Sequence, residues 1–235
     1  MERPISIAIE TSCRRGGVAL GAGEELVEAA GFQAQQRHAV QLVARLAELL
    51  SRHGLRAADL EEMYVSIGPG SFTGLRVGLS VARTLAQLVS RLRCVGVPTA
   101  DAVAQNAAGL AFENLGVVMD AREGTVYAAT FRRDQGAIVP AGTPRVLPPE
   151  QFAAQAPRPI ILIGEGLAYC RIAGDGITLG DESLWLPSPE GLWRVGRRMA
   201  RKGEFEDFHK LRPLYLRKPE AVRLWEKRRG EPREN

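Results

Sequence analysis

The sequence predicts an α/β protein built twice on one pattern: two mixed sheets flanked by helices, with an acid from each copy facing a shared cleft. Three observations lead there. Strand-like and helix-like segments follow the order βββαβαβα in the first half, and a less regular version of that order follows in the second. The first strand of each copy ends on an acid, Glu10 and Asp120. The fourth strand of each runs into Ile-Gly-x-Gly, as "IGPG" at Ile67–Gly70 and "IGEG" at Ile163–Gly166. Either glycine match alone is weak, but matching places in a matching order of elements point to duplication.

The elements can be justified in order. "PISIAIE" alternates as a half-buried strand does, and "GVALG" and "EELVEAAG" follow across turns to give a three-stranded meander. In "QQRHAVQLVARLAELLSRHG" Ala39, Leu42, Val43, Leu46, Leu49 and Leu50 share a broad helical face, and Gly54 is a stop. "MYVSI" is a strand, a helix runs from about Thr73 to Ser90, and "RCVGV" is the next strand. Thr99 is a plausible cap for a short helix over "ADAVAQNAA". In the second copy "LGVVMD", "TVYAATFRR" and roughly "AIVPAGTPRVL" read as strands, and "PPEQFAAQ" opens a helix with prolines. "PIILI" is a strand, "LAYCRIA" a short helix, "GITLG" a weak strand and "PEGLWRVGRRMARKG" the last helix. The expected units are residues 1–108, residues 109–217, and a charged tail 218–235, with the helix near 190–202 placed to pack back on the first unit.

Composition narrows the function classes. Of 235 residues 45% are hydrophobic and 25% charged, as in ordinary globular proteins, and the net charge is only +4. Six basic and four acidic side chains fall in the tail from Lys218, and the body shows no dense basic face of the nucleic-acid-binding kind. Cys13, Cys94 and Cys170 are scattered and odd in number, so neither a disulfide framework nor a metal cluster is indicated. With no signal-peptide core and no bilayer-length apolar run, the expected location is the cytoplasm.

"GPGSFTG" at Gly68–Gly74 sits where a strand hands over to a helix, a common place to hold phosphate. Leu75 and Arg76 stand where a P-loop needs lysine and a hydroxyl, and the spacing is one residue too long for a dinucleotide fingerprint. The loop therefore reads first as a tight turn whose Ser71 or Thr73 caps the helix. Beyond it Gly74, Gly78, Ala82 and Ala86 recur every four residues. Interior glycines cost about 1 kcal/mol each against alanine, so something should approach that row closely. Leu75 and Leu79 add apolar surface beside it, and Val40, Val43, Ala47 and Leu50 give the earlier helix a similar excess. Either these helices pair with another subunit, or both are buried between sheet and neighbour. On the pairing reading, Gly78→Leu disturbs association and spares the fold.

No catalytic or metal-binding residue is assigned. His38, His53 and His209 have no metal-ligand spacing, and no nucleophile elbow occurs. Glu10 and Thr11, with Asp120 and Arg122, mark a cleft that once held a magnesium nucleotide or holds none. "DAREG" at Asp120–Gly124 is read as a hairpin turn in preference to a binding element.

Four segments, "IAIETSC", "GPGSFTGLRVG", "DAREGTVYAATF" and "PLYLR", resemble the TsaB (YeaZ) family over nearly the whole chain. The resemblance implies two ribonuclease-H-like lobes of the actin-like ATPase superfamily. It implies a non-catalytic subunit for N6-threonylcarbamoyladenosine in tRNAs reading ANN codons, paired through its two N-terminal helices with a catalytic paralogue, TsaD, and joined by the ATPase TsaE. A homodimer through the same helices is the implied alternative when the partner is absent. The resemblance implies no intrinsic cofactor, ATP and metal on the partners, and tRNA met through the complex. The paralogue's H-x-x-x-H is missing from "VGVPTADAVAQNA". The alternative function is an autonomous ATPase or sugar-kinase-like enzyme using the cleft.

Overall fold

In the computed structural model, which describes residues 3–33, 38–216 and 225, two sheets of the same strand order are held together by helices that cross between them. β1 (Ile5–Glu10) is the central strand of the first sheet, antiparallel to β2 (Arg15–Ala22) and parallel to β4 (Glu62–Gly68). β3 (Glu25–Gln33) and β5 (Arg93–Pro98) complete the order β3-β2-β1-β4-β5. The second sheet contains β6 (Asn114–Asp120), β7 (Val126–Asp134), β8 (Ala137–Pro140), β10 (Ile160–Ile163) and β11 (Ile177–Leu179). Its order, β11-β10-β6-β7-β8, is that of the first sheet, and β9 (Arg145–Leu147) also pairs with β7. The two sheets thus repeat one topology, as the expected two-lobe duplication requires.

Period-2 alternation divides each sheet between two cores. Ile7, Ile9, Met63 and Val65 face α1 (His38–Arg52) and α2 (Phe72–Leu88), meeting Leu42, Leu46, Leu49 and Leu79. Ala8, Tyr64, Val95 and Val97 face the other way, toward α5 (Pro189–Arg201) with Leu192, Trp193 and Val195. α3 (Thr99–Ala104) lies between the sheets, giving Ala102 to the first and Ala100, Val103 and Ala104 to the second. α4 (Pro149–Gln155) covers the far face of the second sheet through Phe152. The helix closing the second copy therefore lies on the first sheet. Its contacts are close: Gly196 lies under the Tyr64 ring, Gly21 under Trp193, and Trp193 Nε1 donates to Ser6 Oγ at 2.9 Å.

Several expectations are corrected. The third strand of the second copy splits into β8 and β9, with Pro140 and Pro144 about the break; proline has no N–H to give a ladder. Thr99 is the first helical residue of α3 and not its cap. The short helix expected over "LAYCRIA" does not form; a single tight turn over Glu165–Ala168 takes in only its first two residues, and Gly166 there presses on the backbone of Met119. The expected start of the first long helix near Gln35, and the tail 218–235 apart from Trp225, lie outside the described residues.

The largest correction concerns α2. Gly74, Gly78, Ala82 and Ala86 face their own sheet, with both alanines at most 4% exposed. A Cβ on Gly74 would overlap the Thr11 carbonyl oxygen, and one on Gly78 the Thr11 hydroxyl. Leu50, Leu75 and Leu79 are buried in the same core. None of these seven side chains is open to a partner. The glycines serve close approach of helix to strand end. Of the helix residues expected to pair, Val43 and Ala47 are exposed, and the side chain of Val40 lies outside the described residues.

Gly78→Leu, then, acts on folding. It is expected to destabilise the protein by about 3 kcal/mol by overpacking, whereas Gly109→Ala, with open space at Gly109, should stay within about 0.5 kcal/mol. Chemical unfolding of both variants checks this, and a normally stable Gly78→Leu would refute the packing.

Candidate functional site

The loop after β4 is committed to its own chain. Gly70, at φ +157, lets the chain pass beneath Ser12, and the Ser71 amide donates to the Ser12 carbonyl at 2.6 Å. The Gly74 amide donates to Ser71 Oγ at 3.2 Å, which confirms Ser71 as the cap of α2, and the Leu75 amide donates to Ser71 O at 2.9 Å. The Ser71 and Gly74 amides at the helix start are thus spent internally, which removes two of the anion-holding donors suggested by the glycine pattern. The second lobe repeats the device: Gly164, at φ +115, presses on the backbone of Val118.

A strap formed by residues 205–216 braces this loop from outside. Glu206 bridges to Cys94 on β5, Leu211 is fully buried, and Arg83 of α2 donates to the Leu211 carbonyl. The Leu214 amide donates to Ile67 O at 2.6 Å, and the Tyr215 ring lies 5.4 Å from that of Phe72. The late "PLYL" is thus a clasp on the strand–helix junction. Its sequence signal, two leucines beside a proline and a tyrosine, gave no hint of where it lands.

Between the lobes lies a cleft of about 1050 Å³, lined among others by Arg14, Arg76, Asp120, Arg122, Glu165 and Tyr215. Asp120 and Arg122 stand at its wall as expected. Asp120 accepts the Arg122 amide at 2.8 Å, and its other oxygen lies 3.3 Å from Arg122 Nε, so "DAREG" is both a hairpin turn and a cleft element. Burial pushes the Glu165 carboxyl above its usual range, and the neighbouring Asp120 adds to this. The expectation for Glu10 and Thr11 is corrected. Both are fully buried behind the cleft. The Glu10 Oε1 accepts the amide and hydroxyl of Ser12 at 2.5 and 2.6 Å, folding the acid back on its own strand end. Thr11 is held under Gly78. Among the described residues no group of three or more His, Cys, Asp or Glu is placed to hold a metal, and no helix is long and apolar enough to cross a membrane.

A second surface runs along the outside of α1 and α2, which pack side by side. Val43 is 52% exposed, Phe72 44% and Leu88 77%. Val77, Val81 and Leu85 are half-buried between them, and a shallow groove of about 310 Å³ follows Phe72, Arg76, Val77, Ser80 and Val81. Val77, Val81, Leu85 and Leu88 form a stripe at helical spacing, a residue or so off the small-residue row. That offset was visible in the sequence. Glycines in a helix signal close backbone approach, while the valines beside them carry no such signal.

With the geometry in place, comparison with known proteins adds three findings. A family model described as "TsaD: tRNA N6-adenosine threonylcarbamoyltransferase" matches residues 32–169. The chain is similar to proteins named tRNA threonylcarbamoyladenosine biosynthesis protein TsaB from Bacillus subtilis and Escherichia coli. Identity is 27% with the first, over 93% of this chain and 96% of that protein, and 29% with the second, over 95% and 98%. The crystal structure of YeaZ from Pseudomonas aeruginosa superposes with a TM-score of 0.81 at 27% identity, covering 91% of this chain and all of that one.

The buried Glu10 sets a pH dependence. Loss of solvation raises its pKa from 4.5 to about 7, partly offset by the Ser12 hydrogen bonds. The folded protein holds this proton after the unfolded chain has released it. Stability from this group is therefore full below about pH 4.5 and falls as pH rises toward 7. Glu10→Gln should gain on the wild type across that window by up to about 3 kcal/mol and hold the gain above it. Urea titrations of both proteins at pH 5 and pH 8 read the difference; an equal gap at both would refute it.

Proposed function

The chain belongs to the TsaB (YeaZ) family, and from that premise we propose that it is a non-catalytic scaffold subunit for N6-threonylcarbamoyladenosine synthesis on tRNAs reading ANN codons. It works by pairing with a TsaD-type transferase, and a TsaE-type ATPase joins the pair. The observation that carries this reading is the apolar surface of two adjacent helices, with Val43, Ala47 and Leu88 exposed and Val77, Val81 and Leu85 half-buried between them. Exposed apolar surface on two adjacent helices suits a helix pair from another subunit. The chain brings no cofactor of its own; ATP and metal belong to the partners. It meets tRNA through the complex, in the cytoplasm, and without its partner it self-associates through the same helices.

The alternative, an ATPase working in the interlobe cleft, is weakened by the placing of Glu10. That reading needs acids from both lobes at the cleft, and the first-lobe acid is buried on Ser12. Calorimetry of the isolated chain with magnesium ATP separates the two: tight binding lost in Asp120→Asn favours the ATPase.

Reconstitution tests the scaffold. The isolated chain should transfer no threonylcarbamoyl group, and addition of the paralogue and the ATPase should give modified tRNA; transfer by the chain alone refutes it. The Val43→Glu/Leu88→Glu pair puts charge on the exposed part of this surface, where the side chains are 52% and 77% exposed, without touching the buried row. It should stay folded by circular dichroism, weaken association with the paralogue at least tenfold, and lower modification in step. Unaltered association moves the interface elsewhere.

A further inference from the structure

The outward side of α5 carries charge of one sign. Arg194, Arg197, Arg198, Arg201 and Lys202 fall within nine residues, with no acid among them. The body of the chain therefore does hold a concentrated basic face. The sequence hides it, because the cations alternate with the Leu192, Trp193, Val195 and Ala200 that pack inward.

Arg197 is spent in the fold: its guanidinium meets Glu62 at 3.0 Å and Glu24 at 2.7 Å and is only 14% exposed. Arg198 is half-buried and donates to the Ile138 carbonyl, which ties the helix to β8. The rest point outward. Arg201 reaches Glu24 only at 3.6 Å, with both side chains largely exposed, and Arg194 and Lys202 have no carboxylate partner among the described residues. All three pairs four residues apart, Arg194 with Arg198, Arg197 with Arg201 and Arg198 with Lys202, set like charge against like, an arrangement that weakens a helix, and only the second has a carboxylate, Glu24, against both its members among the described residues. The dipole at the helix C-terminus relieves only the last turn. Glu24 lines the groove beside this helix, and the half-buried Asp101 lies near Arg198. Beside the helix a groove of about 530 Å³ runs past Gln105 and Ala137.

We infer that Arg194, Arg201 and Lys202 on the outward side of α5 form a docking surface for the phosphate backbone of RNA. The inference rests on the scaffold reading above and deepens it. The placing is favourable, because α5 covers the face of the first sheet opposite α1 and α2. A protein partner on those two helices leaves α5 open. Trp193 is packed inward and 4% exposed, so no aromatic platform accompanies the cations. The contact is to phosphates and carries no base preference.

The test uses the reconstituted complex with wild-type chain and with Arg194→Glu/Lys202→Glu. Gel filtration with the paralogue and thermal unfolding should be the same for both. Dissociation constants for unmodified tRNA are measured at several KCl concentrations. The variant should bind at least tenfold more weakly at low salt, and its slope of log affinity on log salt should be shallower by about 1.5 to 2, two phosphate contacts having been lost. Unchanged affinity and slope overturn the inference, and so does lost association with the paralogue, which would give this face to a protein contact. Modification by the wild-type complex is read separately, so failure of the scaffold reading shows there and failure of the RNA surface shows in the slope. Should the variant unfold, Arg194→Gln/Lys202→Gln reads the same slope with a smaller change.

Discussion

The constraint on which this structure depends is the contact of α2 with the end of β1. At Gly74 and Gly78 the helix comes so near that the Thr11 carbonyl and hydroxyl occupy the space of a side chain. This nearness sets the angle at which the helix leaves β4, turns Phe72 and Arg76 toward the cleft, and presents Val77 and Val81 outward. It also accounts for the glycines before the helix. The chain must pass under Ser12 to reach that position, and Gly70 makes the passage with no Cβ to obstruct it. The same solution recurs where Gly164 and Gly166 press on Val118 and Met119. The internal duplication is thus preserved most visibly where backbone meets backbone, and least in surface elements such as β8 and β9.

Much of this could be read from residue order, and the reasons for success and failure are physical. Alternation in "PISIAIE" and periodicity in the two long helices report burial, and burial is what patterns hydrophobic residues. The Ile-Gly-x-Gly repeats pointed to matching junctions because backbone contact permits few residues other than glycine. Direction was not legible. A row of glycine and alanine announces close approach but not whether the approaching body is a partner helix or the chain's own strand, and the latter is the case. Nor could the sequence tell that Glu10, at the tip of a strand like Asp120, would turn back on Ser12 instead of entering the cleft. That outcome depends on the next two residues and on the Ser66 hydroxyl across the sheet, which donates toward Ile9 and receives the Thr11 amide.

The distribution of work over the two faces of the first sheet is the other lesson. One face meets helices with apolar surface left over, and the opposite face meets a helix whose surplus is charge. Apolar surplus is satisfied by burial against a shaped surface, while cationic surplus is satisfied at longer range and with little demand on shape. A subunit that needs both a firm protein contact and a forgiving contact with a polyanion gains by keeping them apart, since salt that weakens the second leaves the first nearly untouched.

The lodging of α5 on the first sheet has a bearing on how the chain is made. Trp193 and Ser6 join at 187 residues' separation, and Tyr64 waits for Gly196. While the polypeptide is being synthesised, β1, β4 and β5 emerge early, yet Ala8, Tyr64 and Val95 lack the cover of Leu192, Trp193 and Val195 until α5 has left the ribosome. The first lobe cannot reach its final form as an independent nascent domain, and its exposed sheet face is a natural client for a holding chaperone. A chain cut short before α5 leaves behind a sticky half-sheet in place of a working half.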